Sequence, residues 1–228
     1  MLAPPRLDLA ETAWTRPLTE KERADFLSCG ITGMHNATGV GGPTARTDAL
    51  IFLAAFQGLA GRNPDVFSLV GTVADLDRAK AQGKIGMIMG LQNAEQFDEV
   101  KDVILFHGLG LRCAQLTYNT MNRLGSGCTD RADGGVSDYG AEIVTEMERV
   151  GMLVDTSHCG DRTTLDAIAL ARGSIAITHS NCRALSHHPR SKTDEVIVAL
   201  AKKGGVIGIS GVRQFVSDHE PTTVRDIA

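Results

Sequence analysis

Two histidines stand in like positions at the ends of consecutive apolar runs, His158 in MLVDTSHCGD and His179 in SIAITHSN. Neighbouring parallel strands lie about 4.8 Å apart, so side chains at matched strand ends can converge on one point. Imidazole nitrogens converging there suit zinc or a related first-row metal. The competing reading is that each ring caps a loop or hydrogen-bonds within a polar layer, the commoner fate of a lone histidine. The matched pair tilts the reading toward a metal.

Other polar residues fall at similar places: His35 after ITGM, Gln92 after IGMIMGL, and Tyr118-Asn119 after CAQLT. In HHPRSKTD, His187 and His188 read as loop residues, because adjacent side chains rarely point the same way. Arg190 there could clamp a carboxylate bidentately beside a metal, or simply pair with Asp194 on the surface. Cys159 and Cys182 flank the two histidines without a CxxC spacing, which favours inert structural thiols. Glu95 and Asp98 are explained equally well as acids at a helix N-terminus.

Positioning such a set requires a sheet. The runs 31–35, 85–91, 113–117, 152–157, 174–180 and 206–210 are short, rich in Ile, Val and Met, and bounded by Gly, as buried strands are. Helix-period segments separate them at 19–28, 46–61, 74–82, 99–108, 138–150, 161–172 and 193–203. Ser137 or Asp138 can open the fifth of these, and Gly151 can close it in a left-handed cap. GGVIGIS supplies glycines for a sharp helix-to-strand turn. Alternating buried strands and helices mean a parallel sheet of right-handed βαβ units. No GxGxxG or Walker signature supports a doubly wound sheet. Polar residues gathered at strand ends support a (β/α)8 barrel, whose chemistry sits at that face. The loop 119–135 follows a strand end and should cover the site.

The chain has 228 residues with 23 Lys+Arg against 27 Asp+Glu, a net charge of −4 that leaves no basic surplus for nucleic acid. No apolar run reaches the roughly 18 residues that span a bilayer, and the N-terminus lacks the apolar core of a secretory signal. Five scattered cysteines suggest free thiols in a reducing, cytoplasmic setting.

The segments DTSHCGDRTTLDAI, AITHSNCRALSHHPRSKTDE and ALAKKGGVIGIS resemble the metal-dependent membrane dipeptidase (renal dipeptidase) family of zinc metallopeptidases. The resemblance runs from about residue 85 to 215 and more weakly upstream. It implies a (β/α)8 barrel of the metal-dependent hydrolase type, two zinc ions, and cleavage of dipeptides whose carboxylate is held by an arginine. On that resemblance His158 and His179 match the two histidine ligands of one zinc, and Arg190 matches the carboxylate-binding arginine. The family's first-strand His-x-Asp pair is replaced by Ala10 and Thr12 in RLDLAET. Gln92 stands where the family has a metal-bridging Glu, and Tyr118 where it has a histidine near the substrate. The final-strand Asp has no counterpart before Ala228, as in a divergent, C-terminally truncated member.

The expectation is therefore a single (β/α) barrel domain over 1–228, counting a weak first strand at 7–10 and lacking its last strand. One zinc rather than two would lie on His158, His179 and Gln92, with His35 as a candidate replacement ligand. Arg190, Tyr118 and Asn119 would face a dipeptide or similar small amide with a free carboxylate. A homo-oligomer is compatible with these features. A non-catalytic or lyase-type barrel that binds a small carboxylate is the alternative.

Overall fold

The structure, a computed structural model, describes residues 16–227. The weak strand at 7–10, Ala10 and Thr12 lie outside the described residues.

The chain alternates helix and strand as α1 (Glu20–Ser28), β1 (Gly33–Thr38), α2 (Ala45–Arg62), β2 (Phe67–Leu69), α3 (Val73–Ala81) and β3 (Ile85–Leu91). It continues through α4 (Asp102–Gly108), β4 (Leu111–Gln115), α5 (Asp138–Val150), β5 (Leu153–Asp155), α6 (Asp161–Leu170) and β6 (Ala176–Ser180). The last elements are α7 (Asp194–Lys202), β7 (Val206–Ile209) and α8 (Arg213–Val216). Every strand pairing is parallel, in the order β1-β3-β4-β5-β6-β7. The short β2 adds to the first half of β3, so that β2 and β4 share one edge of that strand. Among the described residues β1 and β7 are the ends of the sheet, which is curved and open rather than closed.

The expected helices match within three residues at each end. The strands differ in two informative ways. β1 runs on to Thr38, which places His35 inside the strand opposite Ile88 of β3 instead of at its end. β2 was not expected, because FSL is too short to display alternation.

Local chemistry explains the helix ends nearest the site. Ser137 caps α5 by accepting from Gly140 N, and Gly151 closes it with φ of 81°, a left-handed turn that glycine adopts without a Cβ penalty. Ile143, Val144 and Met147 of this helix are fully buried, the i, i+1, i+4 pattern of one apolar face. Each such side chain contributes about 1.5–3 kcal/mol by leaving water. Gly204, with φ of 74°, makes the turn into β7. Packing of this kind along β3, β4 and their helices holds the strand ends still enough to position polar groups.

Candidate metal and substrate site

The site is built on the C-terminal ends of β3 to β6. Asp155 ends β5 and is 1% exposed. Its Oδ1 accepts from Ser157 N at 2.9 Å and Ser157 Oγ at 2.6 Å, and from Thr178 N at 3.1 Å, while Oδ2 accepts from Thr178 Oγ1 at 2.6 Å. A buried carboxylate holding both strand ends in this way is satisfied by charge-assisted bonds. It also ties the turn carrying His158 to the strand carrying His179.

The two expected histidines do meet. His158 Nε2 lies 2.9 Å from His179 Nε2, and the rings cross at 61° with centroids 4.9 Å apart. Two nitrogens bound to one tetrahedral zinc at about 2.0–2.1 Å stand about 3.3 Å apart, and at 90° about 2.9 Å, so the spacing fits one shared ion. Each ring is held by its other nitrogen. His158 Nδ1 meets Asn119 Oδ1 at 2.6 Å, and His179 Nδ1 meets Thr178 Oγ1 at 2.8 Å. Burial lowers the pKa of both histidines, that of His158 to about 2 with a further contribution from Arg190. Both are therefore neutral and keep a lone pair for a cation.

Gln92, the first residue after β3, approaches the same point, with its Nε2 3.3 Å from His179 Nε2. Its backbone carbonyl accepts from Gln115 Nε2 at 2.7 Å. Among the described residues no group of three or more His, Cys, Asp or Glu side chains could hold a metal. His35 does not complete such a group. Its ring instead lies across Gly90, where a Cβ would come within 1.9 Å of His35 Nε2, and burial lowers its pKa. The donor chemistry thus fits a single ion on two imidazoles with an amide beside them. A carboxylate-bridged pair of ions lacks its ligands among these residues.

Arg190 is 4% exposed and makes no pair with Asp194. Its Nη1 donates to Ser157 O and its Nη2 to His179 O at 3.1 Å, while Phe215 lies under the guanidinium at 5.4 Å. Two of its five donors therefore bind the backbone on either side of the histidine pair. Tyr118 stacks on His158 with centroids 4.3 Å apart and remains 40% exposed. It lines a cavity of about 490 Å³ with Gly39 to Gly42, Asn93, Glu95 and Thr120. Glu95 is not a helix-terminal acid; its Oε2 accepts from Gly42 N at 2.6 Å across that cavity.

The loop 119–135 lies over the site as expected: Cys128 N donates to His158 O at 2.9 Å. Asn119 has φ of 62°, the one non-glycine residue with positive φ among those described. His187 and His188 stay away from the pair, the first on Asp218 at 2.6 Å and the second against Phe215. Cys159 is buried and free, its thiol pushed up to about 11 by desolvation. Cys182, also free, is only partly buried.

Sequence reasoning overlooked three contributors. Asp155, Ser157 and Thr178 lie beside the histidines in DTSH and AITH, and a carboxylate and hydroxyls so close to candidate ligands were the available signal. Lys192 was also passed over: it is fully buried, and its Nζ donates to Cys159 O at 2.6 Å and Thr164 Oγ1 at 3.3 Å. Nothing in SKTD announces that burial.

The model of the membrane dipeptidase family, peptidase family M19, matches residues 8–228. An uncharacterized dipeptidase of Schizosaccharomyces pombe is 32% identical over 139 residues, 59% of this chain and 33% of its own length. The solved amidohydrolase from Pseudomonas aeruginosa superposes with a TM-score of 0.85 at 33% identity, covering 93% of this chain and 65% of that one. A metallo peptidase from Rhodobacter sphaeroides, solved with a phosphinate mimic of the dipeptide L-Ala-D-Ala, shares the fold with a TM-score of 0.75 at 22% identity. It covers 90% of this chain and 68% of that one. The chain thus spans about a third of the length of the yeast relative and about two thirds of that of the Pseudomonas protein.

Proposed function

The chain belongs to the membrane dipeptidase family, peptidase family M19, and from that premise we propose that it holds one zinc ion between His158 and His179 and hydrolyses a dipeptide or similar small amide with a free carboxylate. The observation that carries this reading is the 2.9 Å approach of two neutral imidazole nitrogens, each anchored through its other nitrogen. A bound zinc would polarise the scissile carbonyl and acidify a water. Gln92 would contribute an amide oxygen or hold a water on the same ion.

The other residues bind and orient. Arg190 fixes the two histidine-bearing backbones, and its remaining N–H donors would take a substrate carboxylate. Tyr118 presents an aromatic wall over His158 and opens into the cavity that holds Asn93 and Glu95. There a small substrate can lie with its apolar side against the ring, while Asn119 keeps His158 oriented. All five cysteines are free, which supports a reducing compartment such as the cytoplasm.

A second reading has one observation in its favour, the lack of a third His, Cys, Asp or Glu ligand among the described residues. It is a barrel that binds a small carboxylate through Arg190 without catalysis, or that acts as a lyase. Purification without chelator, elemental analysis and a dipeptide panel decide between them. The hydrolase reading expects close to one equivalent of zinc, turnover that chelation abolishes, and loss of metal in His158→Ala and His179→Ala. Metal below a few tenths of an equivalent with no turnover, and small-acid binding that survives chelation, would establish the second reading instead.

A further inference from the structure

We infer that Asp155 and Thr178 form a tautomer lock on His179, committing its proton to Nδ1 so that Nε2 faces the candidate metal position bare. The number of protons available around Thr178 fixes the tautomer. An ionised carboxylate only accepts, so the Thr178 hydroxyl, 2.6 Å from Asp155 Oδ2, must give it its single proton. Ser157 Oγ, 2.6 Å from Oδ1, does the same. Thr178 Oγ1 then has only lone pairs for its other neighbours: Ser157 Oγ at 3.2 Å, whose proton is already given to Asp155, and His179 Nδ1 at 2.8 Å, a contact that is a hydrogen bond only if Nδ1 carries the proton. The neutral ring has no second proton, so Nε2 is the acceptor. Gln92 Nε2 can donate to it from 3.3 Å, while His158 Nε2, bare because its ring's proton sits on Nδ1 against Asn119 Oδ1, faces it at 2.9 Å as a second lone pair.

The geometry makes the lock rigid. Asp155 is 1% exposed and Ser157 fully buried, and His179 N donates to Ser157 Oγ at 3.1 Å, so the backbone and ring of His179 are held by the same hydroxyl–carboxylate unit. Asp155 reaches the ring of His179 through Thr178 and its backbone N–H through Ser157. Asp155 and Thr178 are positioning residues, and partners of this kind usually alter metal affinity by 10–100-fold. The inference rests on the single-ion reading for its purpose but not for its test.

The test is the tautomer of His179 by nitrogen-15 NMR in the metal-free protein, with zinc affinity by competition titration. In the native protein His179 should show Nδ1–H. Thr178→Val, nearly isosteric, removes the acceptor and should shift the ring toward the Nε2–H form and weaken zinc by 10–100-fold. Thr178→Ser should restore both. Asp155→Asn should also shift the tautomer, because an amide can donate to Thr178 and free its hydroxyl to donate to Nδ1. An unchanged Nδ1–H signal in Thr178→Val and Asp155→Asn, with folding verified by circular dichroism, would overturn the lock. If the tautomer shifts but the native protein takes up no zinc, the lock stands and the metal reading falls. If zinc binds the native protein while the tautomer ignores both substitutions, the metal reading stands and the lock falls.

Discussion

Asn119 reaches His158 from a backbone conformation that side chains other than glycine rarely adopt: its φ is 62° and its Oδ1 lies 2.6 Å from His158 Nδ1. Asparagine tolerates the left-handed region better than most residues. The two properties separate by mutation. Asn119→Gly should keep the backbone and lose the acceptor, weakening zinc binding by 10–100-fold with little change in stability. Asn119→Ala loses both and should cost a further 1–2 kcal/mol or so in urea unfolding. Equal stability for the two variants would show that the conformation carries no cost.

Gly90 and His35 should behave as a coupled pair. An alanine Cβ at position 90 would come within 1.9 Å of the imidazole, so Gly90→Ala should destabilise by about 1–3 kcal/mol through overpacking. Removing the ring in the Gly90→Ala, His35→Ala double variant should recover most of that loss. A double-mutant cycle in denaturant measures the coupling, and an energy near zero would mean that the ring moves aside freely.

Arg190 spans two carbonyls with two nitrogens of one planar group, a task a single ammonium cannot reproduce. Arg190→Lys should therefore lower stability by about 1–3 kcal/mol, the cost of a buried acceptor left unpaired. It should also weaken a small carboxylate ligand at least tenfold. Thermal unfolding with and without the ligand reads both effects, and unchanged ligand protection would remove Arg190 from the carboxylate site.

Lys192 predicts a response to alkali. Its ammonium is fully buried with a carbonyl and a hydroxyl for partners, and desolvation lowers its pKa from the ordinary 10.5. Between the lowered value and 10.5 the unfolded chain binds more protons than the folded one, so this group makes stability rise with pH across that interval. Cys113 and Cys159, whose thiols burial pushes upward, act in the opposite direction. The informative quantity is thus native minus Lys192→Met: the difference should grow more favourable to the native protein as pH rises toward 10.5. A flat difference would mean that the ammonium is paired as well inside as in water.

The amino-acid sequence alone determined the alternation of strand and helix, the caps at Ser137 and Gly151, and the convergence of His158 with His179. These are readable because a strand or helix period depends on near neighbours, and adjacent parallel strands bring like positions together without further information. Only the tertiary structure decided which imidazole nitrogens face each other, because that is set by Asn119 from one loop and by Asp155 acting through Thr178 on the next strand. The same holds for His35, which a three-residue extension of β1 moved from a strand end to a place over Gly90. HHPRSKTD offered Arg190 as a carboxylate clamp and gave no sign of a role for Lys192, and the burial of both follows from how that loop packs beneath the histidine turns. Orientation and burial are sums over contacts from distant parts of the chain, and no local pattern encodes them.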